Sequence, residues 1–162
     1  MIFQPFEDDL SLYTVLESAL TDDRFDGFTA VVAWAKKSGL SRIRPLIQRF
    51  RARGGTARIL LGIDEGGASL EGLDAAIGDF DEQFVLNDAE SGTFHPKMYI
   101  FNGEAVSIIV IGSSNLTRGG LFANYEAGMR LELDLTQRPD AQVHETVTSY
   151  VRRLLEDGTS RP

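Results

Sequence analysis

The chain has no cysteine, which excludes disulfide frameworks, cysteine-ligated zinc, iron–sulfur clusters and thiol nucleophiles together. Histidine is almost as scarce, with two copies in 162 residues. No uninterrupted apolar run approaches the roughly 18 residues that span a bilayer. The amino-terminal stretch MIFQPFEDDLSLYTVL has neither a basic region before an apolar segment nor a small-residue cleavage site. A leader is therefore not expected, and a cytoplasmic protein without membrane contact is. Bases are the minority charge, 16 Lys+Arg against 24 Asp+Glu for a net charge of -8. On totals alone, that balance argues against an avid nucleic-acid binder.

What is present has the composition of one ordinary globular domain, 43% hydrophobic and 25% charged. One domain is expected over residues 1–156, with 157–162 a frayed or truncated polar tail. Resolved along the chain, the charge is segregated. Residues 1–35 hold seven acids and the single base Arg24. Residues 36–58 hold eight bases and no acid: Lys36, Lys37, Arg42, Arg44, Arg49, Arg51, Arg53 and Arg58. Residues 59–94 then hold nine acids and no base. The mean thus hides a strongly basic element. Its arginines are candidate phosphate contacts, above all Arg42, Arg49 and Arg53; equally, they suit a solvated helix paired with its acidic neighbours.

Apolar spacing alternates between the helical and strand periods. Leu12, Val15, Leu16 and Ala19 predict a helix over about Leu10–Leu20, with Asp9 as N-cap. Gly27–Ala35 predicts a buried strand. Ile43, Leu46, Ile47 and Phe50 stripe a basic helix from about Ser41 to Arg53, with Pro45 in its first turn and Gly54-Gly55 at its end. Ala57–Ile63 predicts a second strand, followed by a Gly66-Gly67 turn and a helix striped by Leu70, Leu73, Ile77 and Phe80. Gln83–Leu86, Phe94–Phe101, Ala105–Ile111 and Tyr125–Leu133 predict further strands, and about Asp140–Glu156 a last helix. The alternation points to an α/β fold, a layered α/β/α sandwich with a mixed, mostly parallel sheet.

Chemistry concentrates in two segments. His95 and Lys97 stand two apart in Thr93-Phe94-His95-Pro96-Lys97-Met98-Tyr99-Ile100-Phe101, so on a strand they share a face with Tyr99 and Phe101. An imidazole beside an ammonium suits an anion: the lysine holds a phosphate oxygen while a ring nitrogen approaches phosphorus. Most His-x-Lys triplets are nonetheless solvated strand residues. The next predicted strand runs into Gly112-Ser113-Ser114-Asn115-Leu116-Thr117, whose small polar residues offer hydrogen bonds at a sheet edge. It reads equally as a turn in which Ser113 or Asn115 caps a short helix.

In order, His95-Pro96-Lys97, Gly112-Ser113-Ser114-Asn115 and Asn124-Tyr125-Glu126 resemble the signature of the phospholipase D superfamily, and the preceding strand, basic helix and strand are similar to its single-motif nuclease and restriction endonuclease branch. The resemblance implies a phospholipase D-like fold and a phosphodiesterase that needs no metal or other cofactor. It implies His95 as a nucleophile forming a phosphohistidine, Lys97, Ser113 and Asn115 as holders of the phosphate oxygens, and Glu126 as the acid that hydrogen-bonds the histidine. Asn124 is a lesser candidate for the same neighbourhood, and Glu126 also reads as a surface carboxylate. Arg118, three residues after Asn115, is a further phosphate contact. Two departures stand out: Asn102 holds the position of the usual acid, five after Lys97, and nine residues separate it from Gly112, longer than the family spacing. Asn102-Gly103 is also a good hairpin turn.

The family reaction uses two histidines, one to attack and one to protonate the leaving oxygen. His144 lies in Ala141-Gln142-Val143-His144-Glu145 with no lysine two residues on, so a homodimer is expected to supply the second copy of His95. The expected substrate is nucleic acid, DNA rather than RNA, in a chain that could serve a larger restriction or helicase system. A phospholipid or small-phosphodiester hydrolase and a catalytically silent binding module are the alternatives.

Overall fold

The computed structural model describes residues 1–6, 8–63, 74, 76, 78–86 and 92–159. Seven strands form one sheet: β1 (Ile2–Gln4), β2 (Gly27–Val32), β3 (Thr56–Gly62), β4 (Glu82–Leu86), β5 (Lys97–Asn102), β6 (Val106–Gly112) and β7 (Glu126–Asp134), in the order β1-β7-β6-β5-β2-β3-β4. Among the described residues, α1 (Leu12–Thr21), α2 (Lys37–Ala52) and α3 (Arg138–Thr159) are helices, Asp74, Ala76, Gly78 and Asp79 are helical too, and there is a 3-10 turn at Asp8–Leu10 and a π-helical turn at Gly119–Ala123.

The sheet is mixed, but the balance is not the expected one. Only β2–β3 and β3–β4 pair in parallel, and the other four pairings are antiparallel. Connections explain the difference. A parallel pair needs a crossover, which α2 provides between β2 and β3. After β5, the link to β6 is too short for one, and an antiparallel hairpin results.

Apolar periodicity builds both layers. One face of the sheet carries Phe28, Ala30 and Val32 of β2, Ile59 and Leu61 of β3, and Tyr99 and Phe101 of β5. Leu12 and Leu16 of α1 and Ile43, Leu46, Ile47 and Phe50 of α2 pack on it. The other face carries Val31, Leu60, Met98, Ile100, Ile109 and Leu133 under Val147, Val151 and Leu154 of α3. These are the expected layers, helices on both faces of a central sheet.

The N-cap of α1 is Ser11, whose hydroxyl accepts the Thr14 N–H at 3.2 Å, and not Asp9. Helix α2 starts four residues before Ser41, so Pro45 falls in its interior rather than its first turn. The proline leaves the Ser41 carbonyl without its helical donor, and Ser41 is exposed, so water can take that place. Gly54, at φ +96°, ends the helix in a conformation that favours glycine. The Gly66-Gly67 turn and Leu70, Leu73 and Ile77 lie outside the described residues, while Phe80 of that stripe is buried, as is Ala76. Helix α3 continues to Thr159, into the segment read as a tail.

Strand β1 had no periodic signal, yet it closes the sheet beside β7. Its Gln4 is 2% exposed and works in three directions. The side-chain amide donates to the carbonyls of Gly119 at 3.3 Å and Gly120 at 3.0 Å, and its oxygen accepts the Leu12 N–H at 2.9 Å.

Candidate active site

The motif residues collect at the end of the sheet where β2 and β6 finish and β5 begins. Strand β5 starts at Lys97, so His95 stands just outside the ladder rather than on a strand. Pro96 lacks an N–H, but its carbonyl accepts the Ala33 N–H at 2.8 Å, and this fixes the approach. Lys97 turns back to the exposed imidazole. Its Nζ lies 2.7 Å from His95 Nδ1 and 2.8 Å from Nε2, and donates to the His95 carbonyl at 3.0 Å. Lys97 itself is 6% exposed. Burial lowers its pKa below the ordinary lysine value, and the Glu126 carboxylate opposes that shift.

Ser113, directly after β6, donates its hydroxyl to Glu126 Oε2 and accepts the Ala127 N–H at 3.1 Å. Asn124 Nδ2 donates to Glu126 Oε1 at 3.1 Å. Glu126 is thus bound to Ser113 and Asn124, and the described hydrogen bonds include none from it to His95. Topology gives the reason: Glu126 opens β7, and β6 lies between that strand and β5. The carboxylate still reaches the site through its field, on Lys97 and on buried Tyr99. Burial, with Glu126 adding to it, holds the Tyr99 hydroxyl well above its ordinary pKa, so it stays a neutral donor. It donates to the Ser114 carbonyl at 3.0 Å and so anchors the loop between Ser113 and Asn115.

The Asn115 side chain is partly committed. Its Oδ1 accepts the backbone N–H of Trp34 at 3.0 Å, which leaves Nδ2 as the donor for a ligand. The Leu116 N–H in turn donates to the Trp34 carbonyl at 3.1 Å. The indole of Trp34 stands edge-on to His95, with ring centroids 5.9 Å apart and planes at 85°. Sequence reasoning missed Trp34, although a signal existed: it follows the carboxyl end of a buried strand, where open α/β sheets place ligands.

The basic block divides. Arg44 pairs with Asp79 at 2.8 Å, Arg51 with Asp81 at 2.7 Å and Arg58 with Glu82 at 2.8 Å. Arg53 pairs with Asp23 and donates to the carbonyls of Leu20, Asp22 and Phe25, bracing the turn before β2. It caps the end of α2 remote from His95, about 24 Å of helix away from the site. Lys36, Lys37, Arg42, Arg49 and Arg118 pair with no carboxylate among the described residues. Lys36 and Lys37 lie next to the site, at the start of α2. Asn102 ends β5 away from His95, and its Oδ1 lies 2.9 Å from His144 Nε2, so both are remote from the motif.

Among the described residues, no three His, Asp or Glu side chains are grouped so as to hold a metal ion, and no helix is long and apolar enough to cross a membrane.

No family profile and no curated protein matches the sequence. Solved structures do. NucT from Helicobacter pylori superposes with a TM-score of 0.69 at 18% identity over 96% of this chain and 93% of its own. Nuc from Salmonella typhimurium, a phospholipase D family member, gives 0.63 at 13% identity over 90% and 87%. Polyphosphate kinase from Porphyromonas gingivalis gives 0.59 at 13% identity over 97% of this chain but only 25% of its own. The sheet, its helical layers and the motif-bearing end together give this chain the phospholipase D-like fold.

Proposed function

We propose that this chain is a phosphodiesterase that cleaves nucleic acid, DNA in preference to RNA, through a covalent phosphohistidine on His95. The observation that carries the reading is the buried Lys97 ammonium held against the exposed His95 ring, with the Ser113 hydroxyl and Asn115 amide at the same sheet end. A ring nitrogen attacks phosphorus, an N–P bond forms and a P–O bond breaks. The leaving alkoxide takes a proton from the imidazolium of a second copy of His95. That ring, now neutral, removes a proton from water, which attacks phosphorus and breaks the N–P bond. Lys97, Ser113 and Asn115 Nδ2 stabilise the oxygens as charge builds on them. Glu126 orients Ser113 and favours the charged form of Lys97. Of the arginines expected to take backbone phosphates, Arg118, Arg42 and Arg49 remain available beside Lys36 and Lys37, while Arg53 is spent on its turn.

The second His95 comes from a second copy of the chain, and the surface beside the site suits one. Ile111 and Met129 are cross-strand partners, 44% and 49% exposed. Next to them Phe3, Phe6 and Tyr125 line a groove with Ser113 and Glu126. Phe6 and Tyr125 meet edge to face at 5.6 Å. An exposed apolar patch at the rim of an incomplete site fits a two-fold interface. Sedimentation is expected to give twice the 17.8 kDa of the chain. Met129→Lys is expected to give monomers that no longer cleave, and a monomeric wild type with full activity would contradict the arrangement.

The pH profile follows from Lys97. Its folded pKa lies below the unfolded one, so between the two the folded chain binds fewer protons. Stability therefore rises as pH climbs through the depressed value, while the ammonium that holds the phosphate is lost. The alkaline limb of kcat/KM is expected below the ordinary lysine value of about 10.4. Glu126→Gln, which removes the opposing charge, is expected to move that limb lower still.

The direct test incubates DNA, RNA and phospholipid vesicles with the protein in excess chelator. Cleaved DNA supports the reading; lipid turnover without cleaved DNA reverses the substrate, and binding without turnover indicates a silent module.

A further inference from the structure

We infer that Trp34 is the positioning residue for the His95 ring, the wall that selects which imidazole nitrogen faces the phosphate. The inference rests on the reading of His95 as the nucleophile and adds to it a part that no motif residue performs. In-line attack needs one particular nitrogen, unprotonated and aimed, so something must fix the ring's rotation and tautomer.

The groups expected to do this do not. Lys97 Nζ stands at nearly equal distances, 2.7 and 2.8 Å, from the two ring nitrogens, so it favours neither nitrogen over the other and selects no tautomer. The Glu126 carboxylate is bound to Ser113 and Asn124. His95 is exposed, so packing on all sides does not hold it either. Trp34 remains, edge-on at 5.9 Å and 85°, an arrangement aromatic pairs favour.

A wall is useful only if it is itself fixed, and Trp34 is fixed by the second motif segment. The Asn115 side chain holds its N–H, the Leu116 N–H holds its carbonyl, and Ala35 bridges to Leu116 directly after it. The segment that presents Ser113 and Asn115 to a phosphate therefore also places the indole against the nucleophile. Asn115 acquires two tasks, one at each end of its amide: Oδ1 sets the Trp34 backbone and Nδ2 faces the ligand.

Trp34 is the only tryptophan and His95 one of two histidines, so each can be watched alone. Protonated imidazole quenches a neighbouring indole. Tryptophan emission of the wild type is expected to fall as the solution is acidified and the neighbouring ring takes up a proton. His95→Ala should abolish that dependence and His144→Ala should leave it. Nitrogen-15 imidazole spectra of the wild type are expected to show one dominant His95 tautomer. Trp34→Phe should keep it, while Trp34→Ala should give averaged tautomers and a single-turnover rate roughly 10- to 100-fold lower at unchanged DNA affinity. Emission indifferent to His95, or an unchanged His95 spectrum in Trp34→Ala, would overturn the assignment. The emission test on the wild type and His95→Ala, and the nitrogen-15 spectrum of Trp34→Phe, stand even if Trp34→Ala fails to fold. A wild type that cleaves nothing while the ring measurements come out as expected would reject the proposed activity and leave the Trp34–His95 pairing intact.

Discussion

Replacing His95 with alanine is expected to lower DNA cleavage by at least about 10⁴-fold in excess chelator, without a comparable loss of DNA binding. The size follows from what the side chain does. In the proposed reaction it makes and breaks the bond to phosphorus and, in its second copy, supplies the proton to the leaving oxygen, so one substitution would remove both the nucleophile and the acid. Because the ring is exposed and stands outside the β5 ladder, its loss opens no cavity, and the melting temperature should change little. The proposed dimer adds a sharper signature. If each site uses two rings, wild-type protein mixed with excess His95→Ala and allowed to exchange subunits should fall well below the activity of its wild-type share. Activity that tracks the wild-type share in proportion would mean that one ring suffices. Cleavage that requires added metal would sink the phosphohistidine route altogether.

Gly39→Ala is expected to cost about 1–3 kcal/mol or more, and to damage the site as well as the fold. A Cβ at Gly39 would lie 2.4 Å from the Leu116 carbonyl oxygen and 2.6 Å from both Leu116 C and Thr117 Cα. These are backbone atoms, so no side chain can swing aside. Either the first turn of α2 or the segment after Asn115 must move. That segment holds Trp34 through the Leu116 N–H, so the displacement would be felt at His95. A melting temperature roughly 5 to 10 °C lower, with a fall in single-turnover rate, is the expected pair of readouts. Gly54→Ala is the control. No atom lies within 4 Å of its Cβ position, and only the positive φ is at stake, so a loss of about 1 kcal/mol without an effect on turnover is expected.

Where local physics decides, the sequence was legible. Ile43, Leu46, Ile47 and Phe50 had to face one way on any helix, and they do. Gly54 had to end it. His95 and Lys97 lie close because two residues of near-extended chain allow little else, even though the strand begins at Lys97 rather than at Phe94 as periodicity predicts. What escaped depends on partners distant in the chain. Strand β1 is three residues with no alternation to read, and exists because β7 offers an edge. The alternation predicts a mostly parallel sheet and four of the six pairings are antiparallel, because strand signals carry no polarity. Arg53 reads as any other arginine of the basic block until the turn before β2 presents it with three carbonyls. Glu126 lies on a strand whose distance from β5 only the strand order reveals.

Gln4 bears on how this chain tolerates change. It binds the Gly119 and Gly120 carbonyls, and Gly120 packs where any Cβ would meet the Asn115 backbone at 2.1 Å. Random substitutions selected for turnover should therefore purge Gln4 almost as strictly as the motif itself, although it lies some ninety residues before His95 and touches no phosphate. A screen that scored only stability would rank it as one buried amide among others; a screen for function should find the fourth residue of the chain inside the foundations of the candidate site.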